Sequence, residues 1–242
     1  MYYALIFCCF FSPLSDHRYT TTVIDVFNGT AWSVPPITLS FGRESLGAAA
    51  TPNGDIIFAG GWATGGTKPG ASDVVDVFST TGSHGGGGAT PLGTTKLKTP
   101  SYWPGAVSVN GSAYVVSNQN LHVIRGADVV ATLPLPVELQ GQPSSLDGGG
   151  GIPSAHVPGN GVAVGGRFAC FYSIAPNALY CYDTATLLWH HAPATERHQG
   201  GAMAVVGKTV MIAGGYTGDF LLSKPTAVVD IFDVSYLSAA AG

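Results

Sequence analysis

Charge is scarce in this chain, so the few places where it concentrates are the first candidates for chemistry. Ten Lys and Arg and fourteen Asp and Glu are spread over 242 residues, with seven histidines and four cysteines. Two short runs stand out, Arg43-Glu44 and Glu196-Arg197-His198. An arginine presents a planar fork of donors that matches a carboxylate, so either run suits an acidic or polar ligand. The competing reading is structural, and it is favoured because ion networks of this kind often serve the fold. In that reading each arginine donates to loop carbonyls and neutralises the glutamate beside it. Trp62 and Tyr216 each follow a pair of glycines. They are either exposed aromatic anchors for a partner or packing groups against a neighbouring layer.

The remaining reactive residue types do not assemble into a site. His190 and His191 are adjacent in a segment that reads as a strand, so they project to opposite faces and cannot chelate one ion together. His17 and His84 fall in expected loops, and for these and His122 a solvated surface role is expected rather than ligation. Cys8, Cys9, Cys170 and Cys181 make neither a CxxC pair nor a zinc spacing with any histidine, and they leave the compartment undecided. The stretch from Gly201 to Thr209 ends in Gly207-Lys208-Thr209 and superficially resembles a phosphate-binding loop. Its spacing is one residue too long, and Val210-Met211-Ile212-Ala213 continues as a strand, not as a helix whose N–H groups would face phosphate. No catalytic residue, metal ligand or cofactor is therefore assigned, and the chain is expected not to be an enzyme. The net charge of −4 and the scattered basic residues lack the footprint of nucleic-acid binding.

The elements that must position these residues are read from composition and repetition. Thirty-four glycines, sixteen prolines and only 10% charged residues suit many short strands and tight turns, and no window shows a helical period. Three segments share one layout. Leu5-Ile6-Phe7 leads to Val23-Ile24-Asp25-Val26-Phe27, Ile56-Ile57-Phe58 leads to Val74-Val75-Asp76-Val77-Phe78, and Met211-Ile212 leads to Val228-Val229-Asp230-Ile231-Phe232. Weaker copies join Tyr114-Val115-Val116 to Leu121-His122-Val123-Ile124, and Phe168-Ala169-Cys170-Phe171 to Leu179-Tyr180-Cys181-Tyr182. Asp25, Asp76, His122, Tyr180 and Asp230 are then equivalent positions with a period near 50. First strands precede each copy and close in glycine turns. Asn53-Gly54 and Asn110-Gly111 are two-residue hairpin signals that need positive φ at both positions. Gly165-Gly166 reads either as a further hairpin turn before Arg167-Phe168, the preferred reading, or as a displaced double glycine ending its own strand.

These marks give the chain a resemblance to the kelch-repeat superfamily over essentially its whole length. Gly60-Gly61 and Gly214-Gly215 resemble the double glycine that ends a kelch second strand. Tyr182 followed by Trp189 resembles the aromatic-to-tryptophan step, and Arg43 and Arg197, each four residues before the first-strand glycine, resemble the arginine that enters each blade. Cys9-Phe10 and Asn118-Gln119 stand where glycine pairs belong, so the middle copies depart from the pattern. The resemblance implies an all-β, kelch-type β-propeller of about five blades of four-stranded antiparallel sheet, roughly residues 1–40, 41–92, 100–137, 152–194 and 195–236. In this reading the first and last blades are incomplete and Gln140 to Gly161 is an insertion. It further implies a protein-interaction scaffold that binds an unidentified protein partner through inter-strand loops. The alternative is a secreted or surface glycan-binding propeller, or a degenerate relative of the galactose-oxidase class. Such oxidases pair a cysteine-linked tyrosine with histidine ligands, and no residue set in this chain matches.

The apolar stretch from Tyr2 to Phe11 is too short to span a bilayer, Met1-Tyr2-Tyr3 offers no basic residue ahead of it, and its match to the later copies makes it read as one more repeated strand and not as a signal. A cytoplasmic setting is slightly favoured and a secreted one stays open; Asn28 and Asn110 are glycosylation acceptors in the latter case. With neither terminal blade complete, the chain is expected to be part of a larger propeller, and a monomer if the ring closes.

Overall fold

The computed structural model describes residues 22–25, 37–63, 70–81, 89–140, 161–174, 176–217 and 224–238. The Leu5-Ile6-Phe7 repeat, Val26-Phe27, Cys8, Cys9, His17, Asn28, His84 and most of the expected insertion lie outside the described residues.

Strands account for nearly all regular structure, joined by two short 3-10 turns at Val137–Leu139 and Val234–Ser238. Sheet 1 contains Val23–Ile24 and Ile37–Thr38. Sheet 2 contains Gly47–Ala50, Asp55–Ala59, Gly70–Ser79 and Thr90–Ser101, the last continuing past the blade limit expected at residue 92. Sheet 3 is Gly105–Val109, Ser112–Val116, Asn120–Arg125 and Asp128–Pro134, and sheet 4 is Gly161–Val164, Phe168–Ser173, Ala178–Asp183 and Leu188–Pro193. Sheet 5 has three described strands, Ala202–Val206, Thr209–Ala213 and Val229–Asp233. In sheets 2 to 5 successive strands pair antiparallel in chain order.

The repeats seen in the sequence coincide with one register. Phe58 lies opposite Asp76 and Ile212 opposite Asp230, in each case two residues before a glycine pair. The turns follow local chemistry. Asn110 and Gly111 have φ of 48° and 75°, as a two-residue turn requires, and Gly165 and Gly166 have 59° and 65°, so that pair is a hairpin turn. At Asn53-Gly54 the expectation of two positive φ values is corrected. Only Gly54 is left-handed, at 88°, because Pro52 fixes a negative φ and starts the turn a residue earlier, with Gly54 N–H donating to Thr51 O at 3.0 Å.

Alternating side chains make the sheets stack face to face. Ile57, Ala59, Val75 and Val77 of sheet 2 meet Ala106, Ala113, Val115 and Ile124 of sheet 3. The opposite face of sheet 3, with Tyr114, Val116, Leu121 and Val123, meets Ala169, Phe171, Tyr180 and Tyr182 of sheet 4. Phe168, Cys170, Tyr172 and Cys181 then meet Val210 and Ile212 of sheet 5, while Ile56, Phe58 and Phe78 meet Ile24, Ile37 and Leu39 near sheet 1. Every middle strand of sheets 3 and 4 is therefore buried on both faces apart from Arg125 at one strand end. First strands of neighbouring sheets pack on one another. That crowding selects small residues: a Cβ on Gly47 would lie 2.6 Å from Pro104 O, and one on Gly161 would lie 2.9 Å from Val107 Cβ.

Candidate functional site

The repeat positions Asp76, His122, Tyr180 and Asp230 all project toward the preceding sheet, and three of them organise polar contacts, Asp76 and Asp230 with the loop that enters their sheet and His122 within its own sheet. Asp76 is buried and accepts from the Ser40 N–H at 3.4 Å, the Ser40 hydroxyl at 3.1 Å and Arg43 Nη2. Arg43 Nη1 donates to the carbonyls of Gly60 and Val74 at 2.7 and 2.6 Å, and its guanidinium lies 4.9 Å over the Phe41 ring. Arg43 thus satisfies one carbonyl between strands, that of Gly60, and one within a strand, that of Val74. Its ion-pair partner is Asp76 and not Glu44, because Glu44 follows directly in a strand, opposite Trp62, and so points to the other side.

Sheet 5 repeats this clamp with one substitution. Asp230 accepts from the Thr195 N–H at 3.0 Å, the Thr195 hydroxyl at 2.6 Å and His198 Nε2 at 2.9 Å. His198 Nδ1 faces Gly214 O at 2.8 Å, as Arg43 Nη1 faces Gly60 O. Burial disfavours the Asp230 carboxylate, but the bonds from Thr195 and His198 and the N–H of Glu196 outweigh it and hold its carboxyl below the usual range. The structural counterpart of Arg43 is therefore His198, correcting the equivalence of Arg43 with Arg197. A counterpart at three residues from the first-strand glycine takes the place expected at four.

At sheet 3 the carboxylate position is His122. Its expected surface role is corrected: the side chain is fully buried. Nε2 lies 3.1 Å from Ser117 Oγ and Nδ1 lies 3.3 Å from Thr132 Oγ1, while Ser117 Oγ also donates to Asn120 O. A neutral ring with its proton on Nε2 completes this chain, donating to Ser117 and accepting from Thr132. Burial, with a smaller effect of Lys98, pushes the His122 pKa down to about 4.

The other sequence candidates fall at the ends of the sheets where the double glycines lie, in two separate places. Trp62 packs edge-on against Tyr102 at 5.2 Å and so serves packing between sheets 2 and 3. The glycine pair beneath it permits close approach: a Cβ on Gly61 would lie 2.5 Å from Glu44 O, and φ there is +93°. At sheet 5 the corresponding bridge joins Gln199 to Tyr216, which is 52% exposed. Tyr216–Thr217 pairs with Lys224–Pro225, and an open cleft of about 500 Å³ beside this hairpin is lined by Glu196, Arg197, Thr217, Lys224 and Thr226 among others. Glu196 Oε2 accepts from the Thr226 hydroxyl at 2.7 Å.

Other buried polar features serve the sheets. Arg167 grips Asp183 with two donors, and this with bonds from Ala185 and Thr186 holds the Asp183 carboxyl far below the usual range. Trp189 lies directly opposite Tyr182, with ring centroids 5.3 Å apart. His190 and His191 do face opposite sides, against Phe168 and Tyr180 respectively. Cys170 and Cys181, opposite one another in neighbouring strands, form a disulfide. Its sequence signal was the occurrence of both cysteines at facing positions of one strand pair. Among the described residues no three His, Cys, Asp or Glu side chains converge as metal ligands, and no helix is long and apolar enough to cross a membrane.

No protein-family model and no curated protein matches the sequence. The fold is similar to known structures. One is the crystal structure of BamB from Moraxella catarrhalis, a β-propeller, with a TM-score of 0.50 at 12% identity over 88% of this chain. The chain spans 59% of the length of that structure. With the stacked antiparallel sheets, this likeness establishes a propeller-like all-β fold.

Proposed function

We propose that the chain is a non-enzymatic interaction scaffold, a kelch-type propeller of about five blades that engages a protein partner through the loops at the double-glycine end of its sheets. The observation that carries this reading is the open cleft beside the hairpin of Tyr216–Thr217 and Lys224–Pro225. In sheet 2, Arg43 and Trp62 are consumed by the fold. In sheet 5, His198 forms the clamp, Arg197 and Lys224 line a cleft, and Tyr216 is exposed in the adjoining hairpin. Two cations lining a groove, with an exposed tyrosine in the adjoining hairpin, suit an acidic peptide segment. The kelch assignment is supported by the equal placement of Gly60-Gly61 and Gly214-Gly215 and by the Tyr182–Trp189 pair.

A second reading, a secreted or surface glycan-binding propeller, is favoured by one observation: the Cys170–Cys181 disulfide belongs to an oxidising compartment. Selection of a displayed library of random peptides on the purified chain, run beside a glycan array, separates the two. Enrichment of acidic peptides whose affinity falls about tenfold or more in Arg197→Ala/Lys224→Ala supports the first reading. Glycan binding with no peptide enrichment rejects it.

A further inference from the structure

Sheets 2, 3 and 4 each close their third strand with a fourth that runs antiparallel to it, Thr90–Ser101, Asp128–Pro134 and Leu188–Pro193 respectively. Among the described residues sheet 5 has no such strand, so Val229–Asp233 is its edge. We propose that this edge seats an extended peptide segment of a protein partner, which joins sheet 5 as an antiparallel fourth strand and carries acidic residues into the adjoining cleft; this rests on the reading of that cleft as the binding face.

The register fixes which backbone groups the edge offers. The Val234 N–H donates to Lys208 O at 2.9 Å and Val228 O accepts from the Gly214 N–H at 3.5 Å, while Asp230 and Phe232 lie opposite Ile212 and Val210. Residues 228, 230, 232 and 234 therefore spend their backbone groups on the second strand. Alternation turns the N–H and C=O of Val229, Ile231 and Asp233 outward, the template that an added strand needs. The side chains of Val229 and Ile231, 50% and 66% exposed, stand on the face of sheet 5 turned away from sheet 4, across from Ala213 and Met211. Apolar residues at alternate positions of an incoming strand fall opposite them.

Both ends of the edge are defined. Beyond Asp233 the chain enters the 3-10 turn Val234–Ser238, where Asp233 Oδ1 accepts from the Ser235 N–H at 2.8 Å and the Ser235 hydroxyl at 2.6 Å. At the other end Thr226, Ala227 and Val228, just ahead of the strand, line the cleft together with Arg197 and Lys224. In an antiparallel pairing the incoming strand brings its C-terminal end to Val229, so carboxylates that follow its apolar residues reach the two cations. The occupant is thus a segment matched to the five residues of the edge, apolar at every second position, with acidic residues on its C-terminal side.

The probe is the synthetic peptide acetyl-Thr-Val-Thr-Ile-Thr-Glu-Glu, whose valine and isoleucine fall opposite Ile231 and Val229 when its glutamates reach the cleft. Affinity is read by calorimetry, and backbone amide exchange by NMR, on the full chain. The amides of Val229, Ile231 and Asp233 are expected to exchange fast in the free chain and at least about tenfold more slowly with saturating peptide. N-methylation of the peptide's valine and isoleucine amides is expected to weaken binding at least about tenfold, whereas N-methylation of its second and third threonine amides, which point away from the edge, changes it less than about threefold. Ile231→Pro removes one outward N–H and no bond to the second strand, so it is expected to melt near the native chain and to lose the peptide. Binding that depends on Lys224 but responds equally to the two methylation patterns overturns strand addition and leaves the acidic-cleft reading standing. Equal slowing of the edge amides by a version ending in Gln-Gln supports strand addition and rejects the cleft reading. Slow exchange of the three amides in the free chain, which means that residues 1–21 or a second copy already covers the edge, overturns the proposal, and so does absence of binding.

Discussion

Replacing His122 with Asn should remove much of the acid sensitivity of this fold. In the folded chain His122 is fully buried, satisfied as a neutral ring by Ser117 and Thr132, and its pKa is pushed down to about 4 from 6.5. The unfolded chain takes up this proton near pH 6.5 and the folded chain does not until near pH 4. Stability is thus complete above pH 6.5 and is lost as pH falls between those values. The loss amounts to about 2 kcal/mol at pH 5 and about 3 kcal/mol at pH 4. Asn retains a donor and an acceptor for the two hydroxyls but does not titrate. Urea unfolding of both proteins at pH 7, 5 and 4 tests this, because the carboxylate contributions cancel in the difference. The native chain is expected to lose about 2–3 kcal/mol more than His122→Asn over that range. Parallel pH dependences for the two proteins refute the reasoning, and so does a ring carbon shift of His122 that titrates near pH 6.5.

Further expectations follow from the stacking and the bonds within it. Ile57, fully buried between sheets 2 and 3, should cost about 3 kcal/mol when cut to Ala, whereas Ile231, 66% exposed on sheet 5, should cost under about 0.5 kcal/mol, both read by denaturant unfolding. Removing the disulfide in Cys170→Ala/Cys181→Ala should lower stability by about 2–3 kcal/mol, since the two cysteines are 11 residues apart, and mass mapping without reductant should recover the two peptides joined. Gly61→Ala should cost about 2 kcal/mol or more because its Cβ would meet Glu44 O at 2.5 Å. Gly126→Ala, at φ +53° in open space, should cost only about 1 kcal/mol, both judged from thermal melts.

The architecture was largely legible because the anchors Phe58 and Phe78, and Ile212 and Phe232, sit at one spacing, and paired strands of fixed register can repeat only that way. The equivalence of Asp76, His122, Tyr180 and Asp230 as repeat positions was legible for the same reason. What was not legible depended on single-residue offsets and on partners distant in sequence. Arg197 matched Arg43 by counting, yet the loop before Ala202 brings His198 to Asp230. His122 looked solvent-bound because histidines usually are, yet it lies opposite Val115, which packs between sheets 2 and 3, and is fully buried. The cysteine pair needed the register of two strands, which the chain supplies only once Cys170 is placed opposite Cys181.

The central claim, that the double-glycine end of sheet 5 is the binding face, meets its most direct test in two charge reversals at opposite ends of that sheet. Lys224 lines the cleft, and Lys208 sits in the hairpin turn at the far end. Affinity for a selected acidic peptide, measured by calorimetry, is expected to fall at least about tenfold in Lys224→Glu and to stay within about twofold in Lys208→Glu. Equal losses in the two variants, or a loss confined to Lys208→Glu, contradict it.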